Sequence, residues 1–209
     1  MNVRKEKAAK LKVHILDQTL KAVGVKSFSE LYVDELCKKV KISKVTFFKY
    51  FPQKEDLLLY YFRIWCLHRS VELKQKPKEG LQGIYYFFEK MAEEMETRPG
   101  VLLSLIAYLA DMGRSIKPFP VKPEEKKLLY PDEPNINAIE IQSIEQLLER
   151  FILEAILKKE ITKTTATRDI ANLITANLWG CILICHTAQL APPKIFFKRY
   201  LDWTLNGIC

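Results

Sequence analysis

Glycine is scarce in this chain, with seven residues in 209. Asn-Gly occurs once, at Asn206-Gly207, and Asp-Gly does not occur. Tight hairpins draw on such pairs, so a strand-rich architecture is disfavoured and an all-α chain is expected. The sequence also lacks a Gly-rich phosphate loop, a His-Glu-x-x-His pair, a Gly-x-Ser-x-Gly elbow and any carboxylate–histidine pattern. Those absences argue against an enzyme and leave no cofactor expected. The start, MNVRKEKAAK, has no apolar run behind its charges, so no secretory signal is expected there. The cysteines number five, which is odd: Cys37, Cys66, Cys181, Cys185 and Cys209. Most sit in apolar helical stretches, which favours reduced thiols in a cytoplasmic protein over a disulfide framework. Cys181 and Cys185 share a helix face beside His186, a pattern that reads as packing rather than a metal site. Residues 170–193 carry no Asp, Glu, Lys or Arg. Asn172, Thr175, Asn177, His186, Thr187 and Gln189 interrupt that stretch, so a core helix is expected and no membrane span.

What the chain does have is a lopsided charge. Residues 1–54 hold 13 Lys/Arg against 5 Asp/Glu, a net of +8, and residues 55–209 balance 20 against 20. The whole positive excess therefore lies at the front, which suits a polyanion partner or a solvated basic tail. The same region carries the most patterned stretch, VDELCKKVKISKVTFFKYFPQKEDLL from Val33. Val33, Leu36, Cys37 and Val40 recur at helical spacing, and Lys41-Ile42 breaks the helix. Ser43 is a good N-cap for a second helix, Lys44 to Phe51, whose Phe47 and Phe51 share one face. Pro52 stops it. Buried aromatics on one side, with lysines, a hydroxyl and a phenol on the others, suit entry into a DNA major groove.

The remaining helices follow from apolar spacing. The first spans 4–23, with Arg4, Lys5, Lys7, Lys10 and Lys12 crowding its start. Cations there oppose the macrodipole; phosphate contacts, or a frayed solvated end, would account for them. Phe28 plugs a small core from the loop that follows. Further helices are expected at 54–76, 79–98, 101–112, 136–159 and 168–190, with a last one after Pro192-Pro193. Residues 115–135 hold five of the ten prolines and read as a loop or short turns, a length often used for lids. The expected division is a domain at 1–53 and a larger one at 54–209, joined by the helix at 54–76.

At residues 33–57 the chain resembles the TetR family of helix-turn-helix transcriptional regulators. Val40-Lys41-Ile42-Ser43, then Lys44 to Phe51, then Lys54-Glu55-Asp56-Leu57 stand in that family's order and spacing. The departures are Lys41 and Val45 where glycine is common, Phe48 for the usual tyrosine, and Tyr32 where threonine often caps. The resemblance implies a three-helix DNA-binding domain followed by a helical effector-binding and dimerisation domain. It places Lys44, Val45 and Thr46 at base edges, and Lys49, Tyr50 and Lys54 at the backbone or groove walls. Phe48 belongs to the same surface but lacks the hydroxyl that the family gives to a phosphate. It further implies a homodimer, a palindromic double-stranded operator and an apolar small-molecule effector. Ile141, Ile144, Leu148 and Phe151, with Ala176 and Gly180, are the expected dimer seam. Phe87, Phe88, Met91, Leu105, Tyr108, Met112, Trp179 and His186 are the expected pocket wall. The rival reading is an apolar-ligand carrier held on anionic membranes by its basic end.

Overall fold

The computed structural model describes residues 3–24, 26–111, 119–162 and 166–207. The described residues form α-helices and 3₁₀ turns and contain no strand. The front consists of α1 (Val3–Val23), α2 (Val33–Val40) and α3 (Lys44–Tyr50), with a 3₁₀ turn at Phe28–Glu30. Their core is Ile15, Leu16, Phe28, Leu36, Phe47 and Phe51, all buried. This cluster continues into Leu57 and Tyr60 of α4 (Asp56–Gln75) and into Val101 and Leu105 of α6 (Pro99–Leu109). The front and the base of the body thus share one apolar cluster.

The turn between α2 and α3 follows from its residues. Lys41 is left-handed, at φ 58° and ψ 48°. The Ile42 amide donates to the Cys37 carbonyl at 3.0 Å and the Lys41 amide to Lys38 at 3.3 Å, a Schellman closure. Ser43 then accepts a bond from the Thr46 amide at 3.1 Å, as its sequence position predicts. A side chain in the left-handed region costs about 1–2 kcal/mol, partly offset by glycine's greater freedom when unfolded. Lys41→Gly should therefore stabilise the protein by up to about 1 kcal/mol. A urea midpoint that falls instead would show that the lysine side chain contributes more than its backbone costs.

In the body, α5 (Gly80–Thr97) lies between α8 (Ile144–Leu157) and α10 (Pro193–Asn206), and α9 (Thr167–Thr187) packs on both of these. Gly83 permits the close approach of α5 and α8, because a Cβ there would sit 2.2 Å from the Phe151 ring. The long uncharged helix expected near 168–190 is α9. It is long and apolar enough to cross a membrane, but its inner face, with Ile170, Ile174, Leu178, Cys181 and Ile182, is buried in the body.

Two expectations change. The proline-rich stretch contains a helix, α7 (Pro123–Leu129), rather than turns alone. Pro123 stands at its first position, where a missing N–H costs nothing, with Glu124 and Glu125 in the first turn and Lys126 and Lys127 in the last. The helix expected from Ile136 starts only at Ile144, after a 3₁₀ turn at Ile136–Ala138. Ser143 and Gln146 form a capping box that sets this start.

Candidate nucleic-acid interface

The second helix of the helix-turn-helix is held from below by aromatics. Phe47 and Phe51 are fully buried, with ring centroids 5.8 Å apart. Phe51 packs in turn against Tyr60 of α4 at 5.6 Å. That anchoring turns Lys44, Val45, Phe48 and Lys49 outward, with Val45 81% exposed and Phe48 42%. Two large apolar side chains in water on a seven-residue helix suit contact with thymine methyls or sugar rather than solvent.

The polar groups on α3 are only lightly committed. Lys44 Nζ lies 2.6 Å from Asp34 Oδ1 on α2, but both side chains are more than half exposed, so a phosphate competes easily for the lysine. The Thr46 hydroxyl lies 2.9 Å from Ser43 Oγ, and Thr46 is half-buried. Tyr50 is half-buried and shares a groove with Val3, Arg4, Lys7, Ala8 and Leu11 of α1. The basic start of α1, with Arg4 and Lys7, therefore lies beside Tyr50 at the end of α3.

Lys54 has a different role from the one its position suggests. Its ammonium donates to the carbonyls of Phe28, Ser29 and Leu31, at 3.4, 3.3 and 3.2 Å. It also lies 5.3 Å from the Phe28 ring. All three donors of the ammonium are engaged in closing the 3₁₀ turn, so Lys54 is a strut beneath the interface.

The expected pocket wall does not come together. Phe87, Phe88 and Met91 are buried in the body core, and Leu105 is buried in the separate front cluster, with Tyr108 packed beside it. Trp179 is half-buried with its ring 6.4 Å from Phe62. His186 is exposed on α9, and Met112 lies outside the described residues. Phe87, Phe88, Met91 and Leu105 are packing residues, because aromatic and sulfur-bearing groups at core spacing fill space as readily as they line it.

The expected dimer seam divides in the same way. Ile141, Ile144, Leu148 and Phe151 are buried within the protomer, against α5 and α9, so that spacing marks an internal seam. Ala176 is exposed and Gly180 half-exposed, and a side chain placed at Gly180 would meet nothing within 4 Å. Around them Leu173, Leu183 and Ile184 are 47%, 43% and 42% exposed. Leu153 and Leu157 of α8 are exposed as well. Cys181 and Cys185 are buried packing thiols, and burial pushes the Cys181 thiol up to about 12.

One cluster escaped the sequence reading. Lys12 of α1 and Glu125 of α7 form a buried ion pair at 2.7 Å, 5% and 1% exposed. Tyr60 donates to the other Glu125 oxygen at 3.0 Å, and the Lys122 amide to the same oxygen at 3.2 Å. Lys12 Nζ also sits 4.2 Å from the Tyr60 ring centroid. Burial pulls the lysine below its usual pKa, and Glu125 opposes that shift. Burial, then the Glu125 charge, pushes the Tyr60 phenol well above its ordinary range. Lys12 reads in sequence as one more surface cation, and its partner lies 113 residues away.

A basic front, a helix–turn–helix with an exposed apolar and cationic second helix, and an all-helical body define a DNA-binding protein of the helix-turn-helix class. Residues 15–61 match the model of the bacterial regulatory proteins of the tetR family, so the front is a TetR-type DNA-binding domain. The fold is similar to that of the reduced form of E. coli NemR, at 15% identity and a TM-score of 0.60, over 95% of this chain and 97% of that one. It is similar also to Salmonella enterica GusR, at 18% identity and a TM-score of 0.55, over 94% and 96% of the two chains. At such identities the likeness establishes the fold, which is that of TetR-family transcriptional regulators. No curated protein matches the chain in sequence.

Proposed function

We propose that the protein is a cytoplasmic transcriptional repressor that binds a palindromic DNA duplex as a homodimer and leaves it when a small effector with an apolar body binds. The observation that carries this reading is the outward face of α3. Val45 and Phe48 stand exposed between Lys44 and Lys49 on a helix pinned by Phe47 and Phe51. A second copy fits the uncharged outer face of α9, where Leu173, Ala176, Leu183 and Ile184 surround the open space above Gly180. Small residues there let two helix backbones approach, and a two-fold pairing requires an inverted repeat in the DNA.

Base readers and phosphate binders should separate in a binding experiment. Lys49→Ala should weaken binding to every duplex alike and lower the slope against log salt by about one. Thr46→Ala should instead change the preferred sequence, since a lost base contact costs about 1–3 kcal/mol at one position. Competition titrations at two salt concentrations measure both effects. Equal losses on all duplexes for both variants would remove Thr46 from the reading surface.

A further inference from the structure

Phe87, Phe88, Met91 and Leu105, expected to line an effector pocket, are packed, but a cavity of about 550 Å³ opens elsewhere, between α4, the 119–121 strap, α7 and the 137–141 loop. Its lining includes Arg63, Phe119, Val121, Lys126, Ile139 and Glu140. Arg63 has no ion-pair partner among the described residues, and Lys126 bonds only a neutral group, the Ile139 carbonyl, at 2.6 Å. Burial lowers the Lys126 pKa and the charge of Arg63 lowers it further. Two cations on the lining of one open cavity, against the single carboxylate of Glu140, leave an excess of positive charge that an anion relieves. With Glu140 on the lining the site carries a net single positive charge, which matches a monoanion better than a dianionic phosphate. Phe119, Val121 and Ile139 offer an apolar wall beside that charge.

The same cavity touches the reading head. Phe119 stacks on Phe51, the residue that closes α3, with centroids 5.5 Å apart and planes 21° from parallel. Lys126 follows Glu125 in the chain, so α7 sends one side chain to the cavity and its neighbour to the buried pair with Lys12. A group drawn towards Lys126 therefore acts on the helix that holds α1, and a group pressed on Phe119 acts on the end of α3.

We infer that this cavity binds a small carboxylate with an apolar body, and that its occupancy alters DNA binding through Phe119 and α7. The regulatory half of this inference rests on the DNA-binding function proposed above; the binding half does not. For the ligand to regulate, it must favour one arrangement of Phe119 and α7 over the other.

The test uses octanoate and benzoate as probes, with octanol and octylammonium as uncharged and cationic counterparts, on the full-length protein. Both carboxylates should raise the melting temperature saturably and octanol and octylammonium should not. Arg63→Gln and Lys126→Gln should each weaken carboxylate binding by about tenfold or more, the size expected for one charge-assisted bond. At saturating carboxylate, Phe119→Leu should lose the change in duplex affinity that the parent protein shows. Octanol shifting the melt as far as octanoate, or Arg63→Gln binding carboxylates like the parent protein, overturns the site. The titration needs no DNA, so its failure is read separately from a failure of duplex binding, which would overturn the regulator instead.

Discussion

Replacing Glu125 by alanine should destabilise the protein by about 3–5 kcal/mol, the cost of breaking a buried ion pair from one side. The figure is large because Lys12 would be left without its carboxylate in a site where it is 5% exposed. The Tyr60 hydroxyl and the Lys122 amide, which both donate to Glu125, would lose their acceptor at the same time. A paired replacement, Lys12→Met with Glu125→Leu, should recover part of the loss, since it removes the buried unpaired charge but still leaves the Tyr60 hydroxyl and the Lys122 amide without their acceptor. The double variant should fold yet hold α1 less specifically against α7, because packing replaces a bond of fixed geometry. Denaturant unfolding of Lys12→Met, Glu125→Leu and the double variant measures the cycle. A loss below about 1 kcal/mol for Glu125→Ala would mean that water reaches the pair and that it does not clasp the front to the body.

Ile184→Glu should convert the protein to a monomer and weaken operator binding by about 10²–10⁴-fold, the avidity supplied by linking two half-site contacts. Ile184 is 42% exposed on the outer face of α9, so the glutamate costs the isolated protomer little. In a dimer the two carboxylates would meet near the two-fold axis in an apolar contact, where burial of unpaired charge is severe. Ultracentrifugation reports the mass and an anisotropy titration the affinity. A dimer that survives the substitution would place the second copy on another face.

The two outcomes sample different parts of what the sequence makes legible. The helix-turn-helix was readable because its signals are local: Ser43 caps, Lys41 breaks, and Phe47 and Phe51 lie one turn apart. The all-helical body followed from apolar spacing and the lack of hairpin pairs. The position of Lys54 was readable but its work was not, since its three carbonyl partners lie 23 to 26 residues back. The seam of Ile141, Ile144, Leu148 and Phe151 carries the spacing of a packed helix, and spacing does not say whether the neighbour is α5 or a second chain. In the same way the repeat of Phe87, Phe88 and Met91 cannot tell a filled core from a lined cavity. Helix α7 was hidden by proline itself, which ends helices from within and starts them at the first position. Glu125 was hidden with it, because a buried carboxylate looks like any surface glutamate until its partner from α1 is in place.

The face of α3 that carries Val45, Thr46 and Phe48 is the centre of the account, and selection of bound duplexes from a random pool at physiological salt tests it most directly. An inverted repeat should be enriched, with half-sites one helical turn or a multiple apart. A bound fraction no different in sequence from the starting pool would contradict it.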